Sequence, residues 1–280
     1  MTKFPLAQII DAAVKWLQSN FGNALDAFSK QAGDGINTVR DFLAMVPWWV
    51  IILIFAAVAW KASGWKLSLG TILGLAFIYN LELWDPFLNT LILVILSSVV
   101  SMIIGFPLGI LAGRKHKFHL VISPILDFMQ TMPSFVYLIP ALLFFGIGKI
   151  PAVFATVIFA MPPVIRLTDL GIRQVPQDLV EVGEAFGSSP MQMLWKIQLP
   201  VAIPTIMAGI NQTMMLSLSM VVISAMIGAG GLGAGVLTAI GQLKNGMGFE
   251  YGIGVVIMAI ILDRISQGIG SSLGTENKNN

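Results

Sequence analysis

The 280-residue sequence has no cysteine and few charged residues, and each absence excludes a class of protein. Without cysteine there is no disulfide, no thiolate nucleophile and no cysteine-ligated metal site. Charged residues make up 11% of the chain, whereas a soluble domain carries about 25%. The net charge of +2 is too small to indicate a nucleic-acid partner. His116 and His119 stand in one basic patch without a third ligand, which favours a solvated loop over a metal site.

Hydrophobic residues take the place of the missing charges: they form 56% of the chain, and the mean hydropathy is +0.84. Several uncharged runs reach the roughly 20 residues that cross a bilayer as a helix. The runs do not alternate between polar and apolar residues, as the strands of a membrane barrel would. The sequence therefore predicts an all-α polytopic membrane protein. Its seven transmembrane helices are expected at residues 46–62, 66–83, 87–113, 130–148, 150–166, 203–227 and 250–268.

The distribution of lysine and arginine predicts the orientation of these helices. With the N-terminus outside, the inner loops and tail hold ten of these residues and the outer segments hold six. Positive residues concentrate on the cytoplasmic side, so the bias favours N-out and C-in. Residues 167–200 then form a cytoplasmic loop, and residues 269–280 form a cytoplasmic tail.

The N-terminal segment, residues 1–45, is expected to be an extracytoplasmic amphipathic helix. Its apolar residues recur at helical spacing: Leu6, Ile10, Val14, Leu17, Phe21, Leu25 and Phe28. Such a helix rests either in the membrane interface or on the protein's own helices, and the pattern does not decide between them. On the third predicted helix, Gly105, Gly109 and Gly113 recur every four residues, which predicts close packing against a neighbouring helix.

Ionisable residues fall at the ends of the predicted spans, and the interiors are neutral. Those at the span ends are Asp85, Asp127, Lys149, Asp263 and Arg264. Ion-coupled transporters usually carry such groups inside their helices. Asp127 is expected to be a helix-start or interfacial carboxylate, with a role as substrate ligand as the alternative. A neutral pathway suits a solute with no net charge.

The polar segment around residues 176–200 interrupts the hydrophobic runs. Pro176 suits the start of a short helix, and Gly187 suits the left-handed residue that ends it. Ser189 then caps a second helix with Pro190 at its first position, and Pro200 limits its continuation. Both helices carry apolar faces outside the membrane, so the segment is predicted to be a docking element for another protein. These faces consist of Val175, Leu179, Val182 and Phe186 on the first helix and Met191, Leu194 and Trp195 on the second.

The same segment resembles the "EAA" loop of ABC importer permeases. Five residues match that pattern at its spacing: Glu181, Gly187, Ile197, Leu199 and Pro200. The chain departs from the pattern with Val182 and Gly183 in place of two alanines, which affects packing more than identity. In that family the loop couples the permease to an ATPase subunit. The resemblance therefore implies a coupling role for Glu181, Glu184, Ala185, Phe186, Gly187, Ser188, Met191, Ile197, Leu199 and Pro200.

Three longer stretches, residues 124–148, 159–176 and 208–233, resemble the glycine betaine/proline betaine permeases of the OpuA and ProU type. The resemblance implies a type I ABC importer transmembrane fold for residues 87–268, preceded by two leading helices in residues 46–86. It also implies an ATP-driven importer in the bacterial plasma membrane that takes up osmoprotectants. Possible translocation-path residues are Met132, Phe135, Tyr137, Met214 and Met215, although core packing is the commoner role of such side chains.

The resemblance implies a second copy of this chain, two cytoplasmic ATPase subunits and an extracytoplasmic substrate-binding protein as partners. ATP and magnesium would be bound by the ATPase, and no cofactor by this chain. Gly148-Lys149 lacks both flanking requirements of a phosphate-binding loop. The alternatives are an ABC importer for another small solute, such as an amino acid or a choline-like cation, and a secondary transporter.

Overall fold

The computed structural model describes residues 6–276, with side chains for Ala12 and residues 14–271. Within that range the chain is almost wholly helical and contains no strand. The helices are α1 (Leu6–Met45), α2 (Trp48–Ser63), α3 (Trp65–Asn80), α4 (Trp84–Arg114), α5 (His116–Thr131), α6 (Leu138–Phe145), α7 (Lys149–Arg173), α8 (Gln177–Ala185), α9 (Pro190–Met193), α10 (Leu199–Ile223), α11 (Gly231–Gly241) and α12 (Asn245–Glu276). Short 3-10 turns cover Ser134–Tyr137 and Ser224–Ile227, and a π turn covers Leu194–Gln198.

Among the described residues, four helical stretches are long and apolar enough to cross a membrane, and the number rises to six if two bent helix pairs each form one span. The four are Trp84–Arg114, Lys149–Arg173, Pro190–Ile227 and Asn245–Ser271. All seven predicted positions hold helix. The helices at 46–62 and 66–83, however, are α2 and α3, which have 16 residues each. Each extends only about 24 Å at 1.5 Å per residue, less than the bilayer core of about 30 Å.

The glycines of α4 pack against α7, as their spacing predicts. A Cβ atom on Gly109 would lie 2.6 Å from Cβ of Thr168, and one on Gly113 would lie 2.8 Å from Cβ of Ile172. A Cβ atom on Gly105 would likewise come too close to Cγ1 of Val164. Because both members of each pair advance by four residues, the two helices run parallel in a fixed register.

The N-terminal helix α1 contacts the protein's own helices, the second of its two predicted resting places. Gln18 Nε2 donates a hydrogen bond to the carbonyl oxygen of Leu143 at 2.7 Å. Lys149 Nζ donates to Oδ1 of Asn37, also at 2.7 Å, and Ile36 is buried in the main core. The side chains of Leu6 and Ile10 lie outside the described residues.

The helix predicted to begin at residue 130 begins fourteen residues earlier, as α5. It bends by 107° before the Ser134–Phe145 segment, because Pro133 holds Met132 in an extended conformation (φ −72°, ψ 133°). Asp127 therefore lies in the last third of α5 and not at a helix start, which corrects that part of the prediction. His119 also lies on α5, so the expected solvated loop is wrong for this residue.

The last helix extends further than predicted at its C-terminal end. Helix α12 continues to Glu276, into the segment interpreted as a polar tail, and residues 277–280 lie outside the described range. Asp263 lies inside this helix and accepts hydrogen bonds from Asn211 at 3.0 Å and Gln267 at 2.7 Å.

Candidate functional site

Helix α8 ends in a left-handed glycine, as predicted. Gly187 has φ +76°, and its N–H donates to the carbonyl of Glu184 at 2.9 Å. The N–H of Ser188 donates to the carbonyl of Gly183 at 3.0 Å. These two bonds form a Schellman motif, which satisfies the last carbonyls of the helix and turns the chain sharply.

The second short helix begins with a full capping box. Ser189 Oγ accepts from the backbone N–H of Gln192 at 3.3 Å, and the Gln192 side chain accepts from the N–H of Ser189 at 2.8 Å. Pro190 takes the first helical position. Two otherwise unpaired donors are satisfied in this way, so the start of the helix is fixed by residues 189–192 alone.

Pro200 does not end this second helix, contrary to the prediction. Helix α9 runs through the π turn Leu194–Gln198 directly into α10, with Pro200 near the start of α10. In a regular helix the proline ring would clash with the carbonyl four residues earlier, and the wider π turn relieves such a clash. The docking segment is therefore joined to a membrane helix without a flexible linker.

Helix α8 packs closely on this continuous helix through Gly183. A Cβ atom there would lie 2.6 Å from Cδ1 of Ile197 and 2.7 Å from Cε of Met193. The departure from the alanine of the EAA pattern therefore has a packing reason. Leu194 and Leu199 are buried in a separate apolar cluster with Ile172, Ala202 and Ile206.

The outer surface of the loop is apolar and open to solvent. Phe186 is 88% exposed, and Met191 and Trp195 are each 59% exposed. Trp195 Nε1 donates to Sδ of Met191 at 3.1 Å, so the two side chains lie together. We call Val182, Phe186, Met191 and Trp195 the coupling surface. Large apolar side chains exposed together are typical of a contact site for another protein.

The predicted coupling residues divide into two groups by burial. Glu181, Glu184, Ala185, Phe186, Gly187 and Met191 are exposed, whereas Ser188, Ile197 and Pro200 are half-buried and Leu199 is buried. The first group belongs to the coupling surface or its rim, and the second holds the loop on the bundle. Val182 and Trp195 lie on the apolar faces predicted for the two short helices, although the coupling set implied by the EAA resemblance does not include them.

The predicted path residues lie in different environments. Phe135 is 53% exposed, whereas Tyr137 is buried in the main core and packs edge-on against Phe159 at 5.6 Å between ring centroids. Met132 and Met214 are half-buried against that core. Met215 is also half-buried. Tyr137 is thus a packed core residue, whereas the side chain of Phe135 is exposed on the surface.

Two polar pairs join α5 to α7. His119 Nδ1 lies 2.6 Å from Oδ2 of Asp169, whose side chain is 9% exposed. Arg166 donates to Oδ1 of Asp127, also at 2.6 Å, and these side chains are 41% and 64% exposed. Sequence reasoning missed both pairs, since their members are 50 and 39 residues apart.

The described residues thus form a bundle of membrane-length helices with an apolar surface on the loop between α7 and α10. A family model described as the binding-protein-dependent transport system inner membrane component matches residues 105–271. The chain belongs to this family, which makes it a cell-membrane transport component and not an enzyme.

Relatives resemble the chain over nearly its full length. It is 51% identical to the glycine betaine transport system permease protein OpuAB of Bacillus subtilis, covering 96% of this chain and 95% of that protein. It is 48% identical to the glycine betaine/carnitine transport permease protein GbuB of Listeria monocytogenes, covering 97% and 98%. It is 45% identical to the glycine betaine/proline betaine permease ProW of Escherichia coli, covering 96% and 76%.

Solved structures support the fold. Inward facing conformations of the MetNI methionine ABC transporter match with a TM-score of 0.60 and 22% identity, covering 66% of this chain and 93% of the matched chain. At this identity the likeness concerns the fold alone, and it confirms the type I ABC importer transmembrane fold.

Proposed function

We propose that this chain is the permease subunit of an ATP-driven importer for glycine betaine and related quaternary ammonium osmoprotectants. The observation that carries the proposal is the 51% identity with a glycine betaine permease over almost the whole of both chains. Similarity to a choline permease is lower, at 31% over 61% of this chain, which favours the zwitterion over the simple cation. Residues 87–268 would form the transport domain, preceded by two leading helices in residues 46–86.

The coupling surface would bind a cytoplasmic ABC ATPase. Phe186, Met191 and Trp195 offer apolar side chains that a groove on the ATPase can bury, and Glu181 and Glu184 supply a polar rim. Buried aromatic anchors inside a polar rim usually carry most of the affinity of an interface. ATP and magnesium would be bound by that partner, and this chain would transmit the motion that nucleotide binding produces.

The connections of the loop suit this transmission. On one side three residues separate α7 from α8, and on the other side α9 continues into α10. Helices α7 and α10 are themselves close: a Cβ atom on Gly209 would lie 2.9 Å from Cβ of Leu167. A displacement of the coupling surface therefore moves two packed membrane helices together, as alternating access requires.

The complete transporter would contain two copies of this chain, two ATPase subunits and an extracytoplasmic binding protein. That binding protein would select the solute, and the two permease copies would enclose its path. A weak site along the path is sufficient, because tight binding inside the membrane would slow release into the cytoplasm. Uptake of betaine would then support growth at high osmolarity.

Solute uptake by the reconstituted complex tests the proposal. Proteoliposomes with the permease, its ATPase and its binding protein should accumulate labelled glycine betaine only with ATP, and methionine and histidine should not compete. Competition by these amino acids, or no betaine uptake by a fully assembled complex, would assign the chain to another importer.

A matched pair of variants tests the coupling surface. Phe186→Ala removes its most exposed aromatic residue and should cost about 2 kcal/mol of ATPase binding, or roughly 30-fold in Kd. Phe249→Ala removes a phenylalanine that is 74% exposed outside the coupling surface and should leave the Kd unchanged. Equal ATPase affinity in both variants would contradict the docking assignment.

A further inference from the structure

An open apolar groove of about 850 Å³ lies between α1, α4 and α7. Every described residue that lines it is apolar, and Ile95, Val99 and Ile104 of α4 are 41%, 43% and 43% exposed along it. The volume is within the range of cavities that bind small molecules, about 300–1,000 Å³. Ordered water does not suit the groove, because a bound water molecule needs about two to four polar partners. The groove therefore suits an occupant made of hydrocarbon.

The groove is about as deep as one leaflet of a bilayer. On α7 it extends from Ile150, the second residue of the helix, to Met161, or about 16 Å. On α4 it extends from Leu91 to Ile104, or about 20 Å. Leu91 and Ile150 lie at the same level, because the α4 glycines hold the two helices parallel in a fixed register. Half of a bilayer core is about 15 Å thick, so the groove extends from the interface towards the middle of the membrane.

The interfacial end of the groove carries a cation without an anionic partner. Lys149 is the first residue of α7 and directly precedes the groove residue Ile150. Its Nζ donates to Oδ1 of Asn37 at 2.7 Å, and no carboxylate in the described part of the chain forms an ion pair with it. An ammonium group has three N–H donors. Lys149 can therefore donate to a further acceptor at the mouth of the groove.

Arg40 adds a second cation at the same end. It is close enough to Lys149 for the two charges to repel each other. Its own ion pairs are long, since Asp41 and Asp85 lie 3.7 Å and 3.9 Å away, and both carboxylates are more than half exposed. Charge-assisted hydrogen bonds are shorter, at about 2.7–2.9 Å. An anion bound beside Lys149 would therefore reduce the repulsion between the two cations.

We propose that the groove binds a phospholipid, with one acyl chain between α1, α4 and α7 and the phosphate at Lys149. The acyl chain fills the apolar groove, and the phosphate oxygens accept hydrogen bonds from the ammonium group. The two parts of the lipid meet matching surfaces in the order in which a bilayer presents them, with the phosphate at the interface and the hydrocarbon below it. The site goes beyond the transport role and does not depend on which solute is carried.

A second copy of this chain is the alternative occupant of the groove. An apolar helix from that copy would fill the hydrocarbon part but leave the ammonium group of Lys149 without an anion. A charge left unpaired in a buried interface is costly. The unpaired cation at the mouth therefore favours the phospholipid, and binding of a second copy is the competing outcome of the test.

Lipid titration of the purified full-length permease, read by native mass spectrometry, tests the phosphate contact. The probe is dioleoyl phosphatidylglycerol, and the comparison ligand is dioleoylglycerol, which has the same chains but no phosphate. Lys149→Gln should raise the Kd for the phospholipid about tenfold, since it removes a charge-assisted hydrogen bond, and should leave the Kd for dioleoylglycerol unchanged. Lys30→Gln is the matched control, because Lys30 is an exposed lysine of α1 outside the groove, and it should change neither Kd.

Photolabelling tests where the acyl chain lies. Phosphatidylglycerol with a diazirine at the end of one acyl chain should label Ile104 and Met161 at the deep end of the groove. Val99→Trp fills the middle of the groove and should abolish this labelling, and Ile158→Trp should do the same from α7. Ile103→Trp is the matched control, because Ile103 is 66% exposed on α4 but does not line the groove. Labelling should persist in this control.

Three results would overturn the proposal. The first is equal affinity of the unmodified chain for the phospholipid and for dioleoylglycerol, or an unchanged phospholipid Kd in Lys149→Gln. The second is labelling of the deep end that persists in both groove-filling variants. The third is a dimer of the permease that Val99→Trp separates into monomers while phospholipid binding is unchanged, which would make the groove an interface between two copies.

Discussion

Replacement of Gly187 by valine isolates the contribution of one backbone conformation to coupling. Gly187 has φ +76°, and no atom lies within 4 Å of the position of an added Cβ. A side chain at this position therefore meets open space, and its cost comes from the backbone. Valine is branched at Cβ and is among the residues least compatible with positive φ.

The size of the effect follows from the backbone cost alone, because the added side chain meets no neighbouring atom. A left-handed conformation costs a non-glycine residue about 1–2 kcal/mol. This free energy opposes the Schellman bonds that Gly187 and Ser188 make with the end of α8. A cost of this size lowers the ratio of docking-competent to other loop conformations by a factor of about 5–30. The apparent Kd for the ATPase should rise in proportion to the loss of docking-competent loop, by up to the same factor.

The measurement is the affinity of the ATPase for the permease in lipid nanodiscs, followed by betaine uptake. Gly187→Asn is the matched control, because asparagine tolerates the left-handed region and also ends helices. It should keep the Kd within about threefold. A valine variant that binds as tightly as the native chain, or an asparagine variant as weak as valine, would refute the argument.

Gly109→Leu should lower the free energy of unfolding of the purified protein by about 1–3 kcal/mol through overpacking between α4 and α7. Gly70→Leu, at a helical glycine with nothing within 4 Å, should not lower it, and equal losses would contradict the packing model. For topology, Leu243→Cys (86% exposed) should react with an impermeant thiol reagent in intact cells, and Phe186→Cys should react only after permeabilisation. Labelling of Phe186→Cys from outside would reverse the orientation.

The docking loop was predictable in detail because its signals are local. The Schellman motif at Gly187 and the capping box of Ser189 each depend on residues within a few positions of one another. The role of Pro200 was mispredicted, because the π turn before it lets the helix continue through the proline. Leu194 and Trp195 were predicted on one apolar face, and only the structure shows that Trp195 is exposed while Leu194 is buried, since exposure depends on how the helix sits on the bundle.

Hydropathy and charge bias determined the membrane class, the approximate helices and the predicted orientation, because each property sums over residues adjacent in the chain. The glycine series on α4 also predicted a close contact, although not with which helix. Only the tertiary structure paired Arg166 with Asp127 and His119 with Asp169. Partners 39 and 50 residues apart lie on different helices, so their contact depends on the register and bend of those helices, which no local pattern encodes.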